Sequence, residues 1–287
     1  GWEGDYVNVT EARTIMATYT ATIRKYNVYF YNDDDLLQTV ENVPYGTGSV
    51  SYTGPTPIKQ GVDNPEEYIF KGWVPAPENI VGETTCYALF KFTGYLFGSL
   101  KDGSEYGTTD NPNWNKINLY WTTINTDVAA YNNGTMSEDD FNAKYQIGGR
   151  MIIPIELLDG TSTIADVEIV GHNHDPLSED MNKKAALTFF CKDLPNILRG
   201  MNEIGSDTGG WRDSAMRQFT NGELFDVLPE ELRASIKSVV KVSDGGSDNN
   251  TLVGTMDLCW LASYDEVGFT SGNYNIPGQG SLYSPIF

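Results

Sequence analysis

Gly1-Trp2 recurs as Gly72-Trp73, and the offset of 71 residues that relates them continues without a gap. It sets Val9 on Ile80, Thr14 on Thr85, Ala17 on Ala88 and Tyr19 on Phe90. A fixed period constrains a chain more than local propensity does, because each copy must build the same small fold. Residues 1–22 therefore read as the end of one copy and residues 23–93 as a complete second copy. The chain begins at Gly1 rather than Met, and further copies are expected upstream. Trp2 and Trp73 read as core anchors rather than sugar platforms, since each holds the same place in its copy.

The complete copy is patterned for strands and turns. Asn27–Tyr31 is β-prone, Asn32–Asp35 is a turn, and Leu36–Val43 is a second strand ended by Pro44-Tyr45-Gly46. Glu67–Phe70 leads into Gly72-Trp73. In the closing strand Thr84–Phe92, Cys86, Ala88 and Phe90 alternate with Tyr87, Leu89 and Lys91. Asp33-Asp34-Asp35 lacks the ligand spacing of a calcium loop and reads as a solvated hairpin turn. The strings YNVYFYNDDDLLQTVENVPYG, TGPTPIK, YIFKGWVP and GETTCYALF resemble the internalin-B-type repeat, also called the Listeria–Bacteroides repeat. The resemblance covers 23–93 and, in part, 1–22. It implies a small β-grasp-like module, used in tandem as spacer or stalk on bacterial surface proteins and in phage structural proteins.

Composition narrows the partners. The 287 residues predict two or three domains at about 100–200 residues each. Nineteen basic residues against 39 acidic ones give a net charge of −20, which argues against nucleic acid or an anionic membrane as partner. No apolar run approaches the ~18 residues of a membrane span, and no signal-peptide pattern opens the chain. Cys86, Cys191 and Cys259 form neither a CxxC pair nor an even set, so they read as buried thiols rather than a disulfide framework.

Residues 94–145 read as an irregular connecting region, rich in Gly, Asn and Thr through Asn118. Ser137 is placed there to cap a short helix whose first turn carries Glu138, Asp139 and Asp140. From residue 146 the pattern is that of an α+β domain. Strands are expected at Met151–Leu157, Ala165–Val170, Ala186–Cys191, Val239–Val242 and Leu258–Ala262, with a hairpin turn at Asp159-Gly160. Helices are expected at Ser214–Thr220 and Pro229–Lys237, and a loop at Ser243–Asn250.

The strings VGHNHDPL, KAALTFFCKDL, GGWRDSAMRQFTNGELFDVLPEELRASIKSVVKVSDGG, TMDLCWLASYDEVGF and GQGSLY resemble an uncharacterised domain of Gram-positive bacteria and their phages, of the GGWxxSxMR…LPxELxxxIK…LWLxSxxEVGF type. The resemblance spans about 146–287 and implies a domain at the distal end of tail-associated or surface proteins. A C-type-lectin-like fold is the expectation. Members of that group continue past the GxGxxY segment into a Trp-rich strand, whereas this sequence reaches Phe287 soon after Gly278-Gln279-Gly280. The final strands are therefore expected to be absent, disordered or supplied by another segment.

No candidate chemistry outweighs its structural reading. His172 and His174 with Asp175 form an HxHD string, but no third zinc ligand stands at useful spacing, so a hydrogen-bonded turn is expected. Ser214 lacks a GxSxG context. Glu230 and Glu231 suit the first turn of a helix better than a glycosidase cleft. Gly209-Gly210 and Gly245-Gly246 lack the phosphate-loop lysine and read as turns. Asp244, Asp248, Asn249 and Asn250 read as a polar loop tip rather than a Ca²⁺ site. Trp211 and Trp260, with Arg212 or Arg217 beside them, could stack on sugar; the preferred reading is core for both Trp and an internal carboxylate for Arg217.

The expectation is a mainly β, non-enzymatic chain without cofactor or metal. Its leading reading is a virion protein of a phage tail or other appendage: repeat stalk, distal domain for host-surface glycan or neighbouring virion proteins, assembled as a homo-oligomer such as a trimer. The alternatives are a bacterial cell-surface adhesin and the non-catalytic part of a carbohydrate-active enzyme.

Overall fold

A computed structural model describes residues 2–4, 7–62, 64–96, 105–107, 112–156, 162–193, 199–202, 205–246, 251–268 and 279–283. The chain is mainly β, built of several small sheets, and divides into two compact units, Gly1–Lys91 and Phe92–Phe287.

The first unit contains β1 (Trp2–Glu3), β2 (Met16–Ala17), β3 (Lys25–Asn32), β4 (Asp35–Pro44), β5 (Thr47–Ser49), β6 (Tyr68–Val74), β7 (Glu78–Ile80) and β8 (Thr84–Phe92). Four strands form one sheet in the order β4-β3-β8-β6. The β3–β4 hairpin turns at Asp33, whose φ of 50° suits the short polar side chain of Asp. Its carboxylate is met by Lys59 at 2.9 Å, and Gln60 bonds Asp35 at 3.0 Å, so these acids steady the turn. β3 runs parallel to β8, pairing Val28 with Thr84 and Phe30 with Cys86. Alternation then sends Val28, Phe30 and Cys86 to one face, where they bury with Val43 and Ile80. Trp73 completes that core, its ring 4.7 Å from Phe30, 4.9 Å from Tyr52 and 5.3 Å from Phe70.

The partial copy keeps parts of the complete copy's backbone and departs from it elsewhere: Gly4, at φ 114°, stands where the complete copy has Pro75, and residues 7–9 are not a strand as β7 is. Shifted by the repeat offset, β1 and β2 fall within β6 and β8, and each pair lies side by side in its own sheet. Asn8 and its counterpart Asn79 share the left-handed region, at φ 55° and 51°. Burial does not follow. Ile80 is 1% exposed but Val9 51%, and Trp2 is 65% exposed rather than the core anchor expected from its place in the repeat. The positions equivalent to Phe30 and Tyr52, whose rings enclose Trp73, lie upstream of Gly1.

The second unit contains α1 (Trp114–Asn132), α2 (Glu138–Lys144), β9 (Arg150–Glu156), β10 (Ser162–His172), β11 (Leu187–Asp193), α3 (Gly210–Asp213), α4 (Ala215–Asn221), α5 (Glu223–Asp226), α6 (Glu230–Arg233), β12 (Val239–Asp244) and β13 (Leu252–Asp257). β11, β10 and β9 make an antiparallel sheet in that order, and β12 pairs with β13. Ala165, Val167 and Ile169 of β10 bury with Met151, Ile153 and Ile155 of β9 and with Phe141, Leu228 and Leu232.

Where a connecting region was expected, α1 supplies much of this core. Ile117, Tyr120, Trp121 and Ile124 fall on one face and are buried. The Asn113 side chain caps the helix by accepting from the Lys116 N–H at 3.4 Å. β9 lies at the sheet edge, and α1 closes it: the Ile152 N–H donates to Tyr120 Oη at 2.9 Å, and Trp121 Nε1 donates to Ile152 O at 3.3 Å. Asn and Thr lower the helix propensity of this stretch, and tertiary burial outweighs that cost. Ser137 does cap α2, accepting from the Asp140 N–H at 3.1 Å.

Two further expectations change. The second C-terminal helix is one turn, Glu230–Arg233, started by Pro229. Leu258–Ala262 is not a strand; β13 is Leu252–Asp257, and the chain leaves the sheet at Asp257. The Asp159-Gly160 turn lies outside the described residues, although β9 and β10 on either side are antiparallel partners.

Equivalent places in the repeat with unequal burial predict unequal costs. Ile80→Ala should remove about 2–5 kcal/mol from the first unit's stability, and Val9→Ala less than about 0.5 kcal/mol, by urea unfolding followed by circular dichroism. Equal costs would mean that Val9 is packed as Ile80 is.

Candidate functional site

Much of the second unit's buried charge lies in two carboxylate-centred clusters. The first forms where α3 and α4 meet the end of β13. Asp257 is fully buried; its Oδ1 accepts from Arg217 Nε at 2.6 Å, and its Oδ2 from Trp211 Nε1 at 2.9 Å and Thr255 Oγ1 at 2.6 Å. Arg217 thus meets the internal carboxylate expected for it, and Trp211 is core. Asn221, at the end of α4, accepts from the Leu258 N–H at 2.7 Å and donates to Cys259 O at 2.8 Å. Side chains thereby replace the ladder in the segment expected to be a strand.

Glycines let this cluster close. A Cβ on Gly210 would overlap Asp244 O, and one on Gly246 would overlap Asp207 O. Both have positive φ, 56° and 89°, so the Gly-Gly pairs are sites of close backbone approach as well as turns.

The second cluster surrounds Lys241. Register along β12 puts Lys241 on the same inward face as Val239, and both are buried. Its ammonium donates to Asp175 Oδ1 at 2.8 Å, to Glu266 Oε1, and to Tyr283 Oη at 3.0 Å. Tyr283 Oη lies 3.1 Å from Asp175 Oδ1 and 3.2 Å from Glu266 Oε1. Thr188 Oγ1 donates to Asp175 Oδ2 at 2.6 Å, and the Ser263 N–H to Glu266 Oε2 at 2.9 Å. Lys241, Asp175 and Glu266 are 6%, 2% and 1% exposed. The Trp260 ring centre is 4.5 Å from the ammonium, and the Tyr283 ring 5.4 Å.

Burial works against the charge of Asp175, but His174, Lys241 and Thr188 together hold its carboxyl below the ordinary range. Burial, with the Glu266 and Asp175 charges, pushes the Tyr283 phenol up and keeps it a neutral donor. Backbone bonds deliver the partners: the Val240 N–H reaches Pro176 O at 2.8 Å, and Leu177 bridges to Val239.

The remaining candidates separate. β10 ends at His172, and Asn173 takes φ 46°, so the two histidines diverge. His172 Nε2 pairs with Tyr145 O at 2.6 Å, whereas the His174 ring lies 4.3 Å from that of Tyr283. Among the described residues no group of three potential metal ligands comes together. Ser214 is buried as the α4 cap, donating to Trp211 O and accepting from the Arg217 N–H. Glu230 and Glu231 occupy the first turn of α6, Arg212 pairs with neighbouring Asp213, and Asp244 accepts from the Gly246 N–H at 2.9 Å. Asp248, Asn249 and Asn250 lie outside the described residues.

Sequence reasoning passed over Lys241, Glu266 and Tyr283, and read Asp175 only as part of HxHD. A lysine inside the apolar run Val239-Val240-Lys241-Val242 was the available signal, since a strand buried on one face has no solvent there for an ammonium.

Asp257→Ala should destabilise the second unit by about 3–5 kcal/mol, because Arg217 and the Trp211 N–H lose their common acceptor. A thermal-unfolding change below about 1 kcal/mol would contradict the role assigned to this carboxylate. All three cysteines are free thiols. Burial and the Asp257 charge push Cys259 up to about 11. Native Cys259 should therefore alkylate roughly a hundredfold more slowly at pH 8 than an unperturbed thiol, and at the ordinary rate in urea, by peptide mass mapping.

The family described as a domain of unknown function, DUF6273, matches residues 189–284. That span contains Lys241, Glu266, Tyr283 and the whole Asp257 cluster, while Asp175 precedes it. No curated protein and no solved structure matches the chain.

Proposed function

We propose that this chain is a phage virion protein of the tail or another appendage, with internalin-B-type repeats as stalk and the unit from Phe92 onward as a distal attachment or docking domain. The repeat carries the reading. Two copies at one offset keep the same strand pair and the same left-handed Asn, which is how a stalk of stacked modules is built. The sheet order β4-β3-β8-β6, with a parallel central pair, agrees with a β-grasp-like module. Two small antiparallel sheets beside one long helix agree with a C-type-lectin-like second unit.

The ionisable groups of the Lys241 and Asp257 clusters are spent on one another, which favours a binding or structural role over turnover. A net charge of −20 directs the search toward glycan or protein partners. Weak sites of this kind gain from a symmetric homo-oligomer, a trimer being the expected form.

Quantitative mass spectrometry of purified particles should find the chain at fixed stoichiometry. Recovery only from host cell-wall fractions would replace the virion by an adhesin. On a glycan array, the chain fused to an oligomer-forming tag should bind a wall or capsule glycan saturably if the distal unit adsorbs to hosts. Particle incorporation without such binding would assign that unit to docking within the particle.

A further inference from the structure

We propose that Lys241 and Asp175 form an intramolecular amide cross-link, made by the chain itself with Glu266 as proton relay. The inference rests on the Lys241 cluster alone and does not depend on the virion reading. An ammonium and a carboxylate together hold every atom of an amide and a water. Here they are held 2.8 Å apart inside the fold, and a second carboxylate touches the same nitrogen. Positioning of this kind replaces a bimolecular encounter, and low solvent exposure favours loss of water.

Glu266 Oε1 takes one proton from Nζ and passes it to Oδ1 of Asp175, so that a neutral amine faces a neutral carboxyl, and the freed lone pair adds to Cγ of Asp175. The Thr188 hydroxyl already donates to Oδ2, where negative charge gathers in the tetrahedral intermediate, and Tyr283 Oη stands 3.2 Å from the same oxygen. A second proton then leaves Nζ for the same oxygen by way of Glu266, and the Cγ–Oδ1 bond breaks. One N–C bond and two O–H bonds form, while one C–O and two N–H bonds break. The products are an amide and one water; Glu266 ends as it began. No oxidant, nucleotide or metal enters the balance, and the event occurs once per chain.

The two carboxylates divide the roles by their surroundings. Thr188, Tyr283 and His174 join Lys241 around Asp175 and draw charge from both its oxygens. Glu266 is steadied through Oε2 by the Ser263 N–H, leaving Oε1 for the ammonium. The Trp260 and Tyr283 rings flank Nζ and limit the approach of water.

Under denaturing conditions, intact-mass measurement of the purified full chain should give a mass one water below that of its sequence. Proteolysis should then release a branched peptide joining Lys241 to Asp175. Lys241→Arg and Glu266→Gln, if folded by circular dichroism, should restore the full mass. The wild-type result decides even if both variants fail to fold. Full sequence mass in folded wild-type protein, or water loss without a branched peptide, would overturn the proposal. A branch to Glu266 instead would overturn the assigned roles.

Discussion

A lysine ammonium in a protein interior costs several kcal/mol in lost hydration, and it stays only where partners surround it. Lys241 meets that condition through groups far apart in the chain: Asp175 after β10, Glu266 beyond β13, and Tyr283 near the end of the described residues. The ammonium cannot be satisfied until these partners arrive. Bringing them together shapes the backbone. Gly171 allows the turn after β10 because a Cβ there would crowd His174, and Asn173 enters the left-handed region. The chain then runs beside β12 through Val240 and Pro176, which sets Asp175 opposite Lys241. Gly280 gives Glu266 room in the same way.

The Asp257 cluster applies the same constraint to hydrogen-bond donors. Arg217, Trp211 and Thr255 converge on one buried carboxylate, so α3 and α4 are fixed against β13 by directional bonds. Packing alone would tolerate sliding between short helices and a two-stranded sheet; a charge-assisted bond at 2.6 Å does not. Neither cluster resembles an open cleft. Each makes one arrangement of this loop-rich unit far better than its neighbours, which suits a part that must hold shape with few long elements.

Local chemistry made much of this legible from the sequence. The β3–β4 hairpin, the alternation of β8, the Ser137 cap and the three strands β9 to β11 all follow from patterns within a dozen residues. α1 was readable too, because Ile117, Trp121, Ile124 and Val128 recur at helical spacing, but its Asn and Thr content pointed to loop. Leu258–Ala262 has the composition of a strand, and only the distant Asn221 turns it into something else. The Lys241 cluster was least visible. Its members are separated by as many as 108 residues, and each in isolation passes for a surface charge or a core ring. Yet every one sits inside a string singled out for its resemblance: HNHD, VVKV, DEVGF and SLY. The strings were legible; the single point at which they meet was not.

The repeat separates what a local segment specifies from what it borrows. Asn8 and Asn79 take the same unusual φ, and β1–β2 pair as strands within β6 and β8 do, so about twenty residues carry part of the path of the chain, though Gly4 and residues 7–9 depart from Pro75 and β7. They do not carry enough to bury it. Ile80 is covered by β3 and Tyr52, whose equivalents for Val9 lie upstream of Gly1. Stability in such a module therefore resides in contacts between its early and late strands, chiefly the parallel β3–β8 pair. That pairing joins the ends of one copy across most of its length, so a copy closes as a whole or not at all.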